Sequence, residues 1–350
     1  MSLAEIWKAH FMMQPSTSGP CILTSIPPIM PRKIAGLDIS RRYQIECVNS
    51  WRSSGFRVVS LNCNAEIENL SEFRATVEFV EIQSPIPKIH DFLNVSRSLG
   101  DGIYGLINAD CLLFLDDREF ADVMHHADSG LLLFERIELG ADRGLPNGNR
   151  YVGFDFFLYD GSIISQTIMD IIAEADFVIG QPCWDYFIPL LLRSRGISVV
   201  KCNCASLFHL EHDFNRDQGK WLDGAAKLFR NVDFDTPFLP DDIRAIGSKL
   251  SVIHGPRFDE SQMPDLGLCI DRIYTNLHEE NQSNMGHVAE TYNDLFKTLE
   301  NPAFRKLYYN MQTQPLQSTP PSESSTPKKR KWYKKQLSKL KRLTRRTPIG

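Results

Sequence analysis

The chain has 350 residues, 42% of them hydrophobic and 23% charged, with 39 basic side chains against 43 acidic ones and a formal net charge of −4. That is a globular mix, neither fibrous nor broadly unstructured, and long enough for one large domain or two ordinary ones. The charge is unevenly placed: the 11 basic residues of 328–346 leave −15 on the remainder, and an acidic body argues against broad nucleic-acid binding by the folded part.

No run approaches the roughly 18 consecutive apolar residues of a membrane helix. The longest are Cys111–Leu115, Leu131–Phe134 and Phe187–Leu192. Residues 1–20 lack the basic start, apolar middle and cleavage site of a signal peptide. The eight cysteines are scattered, and Cys202 and Cys204 form a lone C-x-C, weak as a zinc pair. Reduced thiols in a cytosolic setting are the expectation.

The first predicted strand is Cys21–Ile26, which runs into Pro27-Pro28. Arg41–Ser53 reads as a helix, with Ile45, Val48 and Trp51 at helical spacing and Gly55 ending it. Arg57–Leu61 is a second strand, residues 65–73 are helical, and Thr76–Ile82 alternates as a third strand. Pro85 and Pro87 break the chain. Lys88–Ser98 is helical, Gly100 to Gly102 turn, and Ile103–Ile107 is a fourth strand. This alternation argues for an α/β fold, a mainly parallel sheet covered by helices. Ligands of such sheets bind at the carboxyl ends of the strands, which draws attention to Asn108-Ala109-Asp110.

Gly130–Ile137 reads as a strand, followed by a polar loop from Gly140 to Arg150 and a strand at Gly153–Tyr159. Ile163–Ala173 is helical. A helix runs from Trp184 or Asp185 to Arg195 and stops at Gly196, and Ile197–Lys201 is a further strand. Residues 205–212 carry His209 and His212, and the stretch from Lys220 to Leu299 reads as helices with loops. Gln312–Pro327, rich in Ser, Thr, Pro and Gln, has the composition of a disordered linker.

Each candidate residue has a plain reading beside its chemical one. Asp110 at a strand end can hold a divalent cation, or Asn108-Ala109-Asp110 is a turn. Asp185 near a helix start is a cap for free amides, or a general base that takes a proton from an acceptor hydroxyl. Trp184 beside it stacks on a sugar or lies in the core. His209 and His212, three apart, share one face if the segment is helical and suit a metal, or are structural. Asp155 binds acceptor hydroxyls or caps its loop. Arg136 and Arg143 flank the polar loop and can meet a phosphate, or are solvated.

The order of these pieces resembles the GT-A class of glycosyltransferases over roughly residues 20–215. The elements that carry the resemblance are the strand ending in Asn108-Ala109-Asp110, then Trp184-Asp185-Tyr186 opening a helix, Arg193-Ser194-Arg195-Gly196, a strand, and a histidine. The resemblance implies a GT-A, Rossmann-like sheet and transfer of a sugar from a nucleotide-sugar donor to a glycan, lipid-linked or protein acceptor. By the same resemblance, the Cys21–Ile26 strand with Thr24 and Ser25 supports the nucleotide base. The resemblance gives Asp110 the metal and diphosphate, with His209 or His212 on the divalent metal, manganese or magnesium; Asn108, Arg136 and Trp184 are the candidate substrate contacts. Asp185 is the base, and Asp155 is the other catalytic candidate. Two departures stand out. Asn108 takes the first acidic position of the D-x-D motif, and Trp184-Asp185 replaces an acidic pair. A nucleotidyltransferase is a rival, but Thr24-Ser25-Ile26-Pro27-Pro28 lacks the glycines of its phosphate loop. A non-catalytic binding module is another.

The implied organisation is an extension (1–18), a catalytic core (19–215), a helical part (216–310), a linker (311–327) and a basic tail (328–350). In the tail, Tyr333, Leu337, Leu340 and Leu343 fall near one helical face with Trp332 at its start, and the rest is cationic. This composition suits an anionic membrane surface and so a peripheral location at the cytoplasmic face. A nuclear import signal at Pro327–Lys331, non-specific nucleic-acid binding, and docking on the acidic body are the alternatives.

Overall fold

A computed structural model describes residues 19–34, 36–128, 130–140, 146–202, 206–212, 217–251 and 272. At its centre is β1 (Cys21–Thr24), buried at all four positions. It pairs in parallel with β4 (Arg57–Asn62) on one side and β6 (Ile103–Ile107) on the other. A strand covered on both faces needs apolar residues at every position rather than alternate ones, which is the character of Cys-Ile-Leu-Thr. Beyond β4 lies β5 (Glu78–Glu81), also parallel. Beyond β6 the direction reverses: β9 (Pro146–Asp160) runs antiparallel to both β6 and β8 (Gly130–Leu139). The far edge of β8 is shared by two parallel strands. β10 (Ser198–Cys202) pairs with its first half and β11 (Leu207–Leu210) with its last residues. A short β7 (Cys111–Leu113) closes that edge, antiparallel to β11. A small hairpin of β2 (Lys33–Ile34) and β3 (Leu37–Asp38) stands apart from this nine-stranded sheet.

Helices cover both faces. Cys21 and Leu23 face one core and Ile22 the other, as the two-residue period of a strand requires. The first core is built against α3 (Ile89–Leu99), α5 (Gln166–Ala175), α6 (Trp184–Ser194), α7 (Gln218–Asn231) and α8 (Asp241–Ser251). The second is built against α1 (Ser40–Ser53) and α4 (Asp117–Ala127). The short α2 (Asn64–Glu68) follows β4. On α1, Tyr43, Cys47, Ser50 and Trp51 are buried at helical spacing. Gly55 ends this helix at φ +91°, a left-handed position that glycine adopts without steric cost. The fold is thus a mixed, mainly parallel, Rossmann-like sheet between helical layers.

Several elements differ from expectation. Residues 65–73 divide into α2 and a 3-10 turn at Ser71–Phe73. The strand expected at Gly130–Ile137 extends to Leu139, and the one at Gly153–Tyr159 spans Pro146–Asp160. β7 and α4 carry no element in the sequence reading. Ala225, Leu228 and Phe229 of α7 and Ile243 of α8 share the first core with the sheet, so the described start of the helical part is continuous with it. The 1–18 extension, Arg143, residues 252–310 apart from 272, the linker and the basic tail lie outside the described residues. No described helix is long and apolar enough to cross a membrane.

Candidate functional site

The polar residues collect where the parallel strands end. After β6 the chain turns over Asn108–Cys111, with the Cys111 amide donating to the Asn108 carbonyl at 3.2 Å. The turn is held from below by α1: the Tyr43 hydroxyl donates to the Asp110 carbonyl at 2.9 Å, and the Trp51 indole donates to the Cys111 carbonyl at 2.8 Å. The same Tyr43 oxygen accepts the Leu210 amide at 2.9 Å, which ties the end of β11 to the turn. The turn reading of Asn108-Ala109-Asp110 therefore holds. The turn presents the Asp110 carboxylate to a built cluster.

Asp110 Oδ2 is 3.1 Å from His209 Nε2 and 3.9 Å from His212 Nε2, and it accepts from the Arg32 guanidinium. Burial alone would raise the Asp110 pKa, but His209, Arg32 and Arg136 outweigh it and hold the carboxyl well below the usual range. The histidines do not share a helix face, which corrects the helical expectation. His209 lies on β11, and His212 lies two residues past its end, where the chain has left the strand. On a continuing strand a spacing of three would send them to opposite faces. Their rings instead meet edge to face, with centroids 5.1 Å apart. Just past the end of β11, the Glu211 amide donates to the Leu139 carbonyl at 2.8 Å.

One ligand atom each from Asp110, His209 and His212 lie within 4.8 Å of one another. A carboxylate with two imidazoles is a sound donor set for a divalent cation, more suited to manganese than to magnesium, which prefers oxygen alone. Behind it, Glu138 Oε2 sits 2.9 Å from His209 Nδ1. That contact points Nε2 at the cluster, the arrangement usual for a ligating histidine. Burial works against a charged His209, but the two carboxylates raise its pKa. Among the described residues, Asp110 pairs with Arg32, and Glu138 and Asp155 pair with Arg136.

The network continues along β8 and β9. Arg136 Nε donates to Glu138 Oε1 and its Nη1 to Asp155 Oδ2, both at 2.7 Å. Burial opposes the Arg136 charge, yet Asp155 and Glu138 hold it firmly protonated. Asp155 accepts from the Asn108 side chain, and its carbonyl accepts the Asn108 amide at 3.0 Å. Asp155 owes its position to a β-bulge. Phe134 faces Phe156 and Glu135 faces Phe154, so Asp155 has no opposite number on β8. The extra residue sends Phe154 into one core and Phe156 into the other and frees the carboxylate to face the turn. Burial raises its pKa despite Arg136.

Asp185, in the first turn of α6, accepts the Phe154 amide at 3.3 Å. Burial first, and the neighbouring Asp155 second, push its pKa up to about 7. The preceding Cys183 is left-handed at φ +72°, which sets the entry to α6 at this point.

Two sequence-derived substrate contacts are corrected by packing. Trp184 is 2% exposed and packs edge to face on Phe157, with ring centroids 5.0 Å apart, so it belongs to the core. Thr24 is fully buried, its hydroxyl donating to the Ile107 carbonyl at 2.9 Å across the β1–β6 pair. Ser25, just beyond, is half-buried. The structure brings together Asn108, Asp110, Arg136, Asp155, Asp185, His209 and His212. It adds Arg32, Tyr43 and Glu138, which carry no motif. The signal for Glu138 is its company: Glu135, Arg136 and Glu138 interrupt an otherwise apolar strand.

No protein-family model matches the chain, and no curated protein matches it. Some solved structures match part of the chain at low similarity. HddC from Yersinia pseudotuberculosis complexed with GMP-PN is 11% identical over 42% of this chain and 79% of its own, with a TM-score of 0.29. A second structure of HddC gives 13%, 42%, 78% and 0.28. A Bacillus anthracis protein described as a glucose-1-phosphate thymidylyltransferase, in complex with a sucrose, gives 11%, 52%, 87% and 0.32. The fold rests on the strand order and the site on its geometry, independently of these likenesses.

Proposed function

We propose that the protein transfers a sugar from a nucleotide-sugar donor to an acceptor hydroxyl, with Asp185 as the general base. The observation that carries this reading is a pair of half-buried carboxylates driven in opposite directions. Asp110 is held ionised by His209 and Arg32, while Asp185 is pushed up to about 7 by burial and Asp155. Groups whose environments separate their pKa values in this way divide into an electrostatic partner and a proton carrier.

Asp110, His209 and His212 would hold a divalent cation, which when bound neutralises the charge that develops on a leaving diphosphate. Arg136 orients Asp155 and shields it from Asp110. Asp155, buried and bulged out of the ladder, accepts hydrogen bonds and can position a hydroxyl. Asp185, fixed by the Phe154 amide, can take the acceptor's proton at neutral pH, because a base is most effective with a pKa near the working pH. Arg136 stands in for a phosphate contact only indirectly, since its fork is committed to Glu138 and Asp155. The acceptor is read by chemistry alone, as a hydroxyl on a glycan, lipid-linked or protein substrate. The basic 328–346 segment would favour one held at an anionic membrane surface.

The test is release of nucleoside diphosphate from a panel of sugar nucleotides, with and without manganese, for wild type, Asp110→Ala and Asp185→Asn. Release that needs manganese, is lost in Asp110→Ala, and is lost in Asp185→Asn while donor binding survives, supports the reading. Pyrophosphate release from a nucleoside triphosphate and a sugar 1-phosphate would replace it with nucleotidyl transfer. No binding of any sugar nucleotide would sink both.

A further inference from the structure

We propose that Arg32 exchanges partners during binding, yielding its place on Asp110 to a divalent cation and taking up the diphosphate that the cation brings. The identity of the anion rests on the nucleotide-sugar reading above; the competition at Asp110 does not.

Arg32 ends the segment that follows β1, at the carboxyl edge of the sheet. It is 6% exposed, and its Nη2 donates to Asp110 Oδ2. That oxygen is also the one nearest both His209 Nε2 and His212 Nε2. A cation held by Asp110 and the two imidazoles would draw on the same lone pairs as the guanidinium. Two positive groups on one carboxylate oxygen also repel each other. Cation binding and the Arg32 contact therefore oppose one another.

The guanidinium is incompletely used where it sits. Nη1 donates to the Pro31 carbonyl at 2.8 Å, but the buried Nε has no hydrogen-bond partner. A buried donor left unpaired costs stability, so the present seat is not the best this fork can find. The pairing of Nε with one Nη matches two phosphate oxygens. The exchange needs no movement of the main chain. The Arg32 amide donates to Ser40 Oγ at 2.9 Å, and its carbonyl accepts the Ile39 amide at 3.0 Å. The turn before it is held by Gln44 to the Pro27 carbonyl at 2.5 Å and by Arg41 to the Pro28 carbonyl at 3.2 Å. A rotation of the side chain about a fixed Cα carries the charge from carboxylate to phosphate.

The rival role is a structural clamp that merely holds Asp110 in place, and it predicts opposite behaviour toward the metal. The experiment titrates Mn²⁺ alone into the full chain, followed by the loss of the free-ion electron paramagnetic resonance signal. It then titrates nucleoside diphosphates at saturating Mn²⁺, for wild type, Arg32→Ala and Arg32→Gln. Folding of each variant is checked by thermal unfolding, and the more conservative Arg32→Gln serves if Arg32→Ala does not fold. The exchange predicts that removing the guanidinium tightens Mn²⁺ alone about five-fold or more, because a competitor is gone. It also weakens nucleoside diphosphate about 10- to 100-fold, the worth of a charge-assisted hydrogen bond. Unchanged or weaker Mn²⁺ binding in the variant overturns the exchange and leaves a clamp. Tighter Mn²⁺ binding with no nucleoside diphosphate bound by wild type would retain the competition and remove the nucleotide reading.

Discussion

Glu138 and His209 face each other across the parallel pair of β8 and β11, with Oε2 2.9 Å from Nδ1. The other oxygen of Glu138 holds Arg136. One side chain thus fixes a candidate metal ligand and, through Arg136, the carboxylate of Asp155. Glutamine cannot serve both partners, since one of its two ends is a donor. Glu138→Gln is expected to weaken Mn²⁺ binding about 10- to 100-fold with the fold intact. Mn²⁺ titration beside a thermal melt checks this, and an unchanged affinity would remove Glu138 from the site.

Asp185 gives a pH prediction with a definite sign. Its folded pKa of about 7 exceeds the ordinary carboxylate value of 3.8. Between these values the folded state binds more protons than the unfolded one, so stability falls as pH rises across the window and stays lowered above it. Asp185→Asn should therefore raise Tm at pH 8, by an amount worth a few kcal/mol, and change it little at pH 4. Transfer runs the other way, requiring the ionised form, and should fall as pH drops through about 7. A variant without activity yet more stable at pH 8 would show that the fold bears a cost for its base.

The donor set predicts metal preference. With two imidazoles and one carboxylate, Mn²⁺ should bind at least about tenfold tighter than Mg²⁺. His212→Ala should weaken Mn²⁺ binding, and a chelator should abolish transfer. Equal affinity for the two ions, measured by competition, would mean that the histidines are not ligands.

Gly224 of α7 lies against the loop that leads into α6. A Cβ there would sit 2.3 Å from the Pro182 carbonyl oxygen, main chain that cannot rotate away. Gly224→Ala should cost about 1–3 kcal/mol of stability. It should also lower the turnover rate more than it changes metal affinity, since Pro182 and Cys183 set the entry to the helix that carries Asp185. Thermal unfolding and Mn²⁺ titration together test this.

The elements legible along the chain are those whose signal is local. β1, β4 and β6 are apolar and β-branched runs bounded by turns, and α1, α3 and α6 carry helical spacing with glycine stops. α4 was missed although its signal is local: the Asp116 carboxylate accepts the Glu119 amide at 2.8 Å and Glu119 returns a contact to the Asp116 amide at 3.0 Å, a capping box spelled Asp-x-x-Glu. β7 has no such signal. Its three residues are a strand because β11 pairs with them, nearly a hundred residues further on.

The sequence by itself determined an α/β chain with a polar turn at the end of β6 and an acidic residue opening α6, because apolar periodicity and turn chemistry act over a few residues. Only the tertiary structure decided which polar groups meet. The end of β11 brings His212 beside His209, a bulge frees Asp155, and the segment after β1 returns Arg32 to Asp110. It also buried Trp184 and Thr24, whose residue types suit a binding site and a core equally well. Those outcomes depend on sheet register and on desolvation, which arise between distant segments and leave no mark on the order of residues in either one.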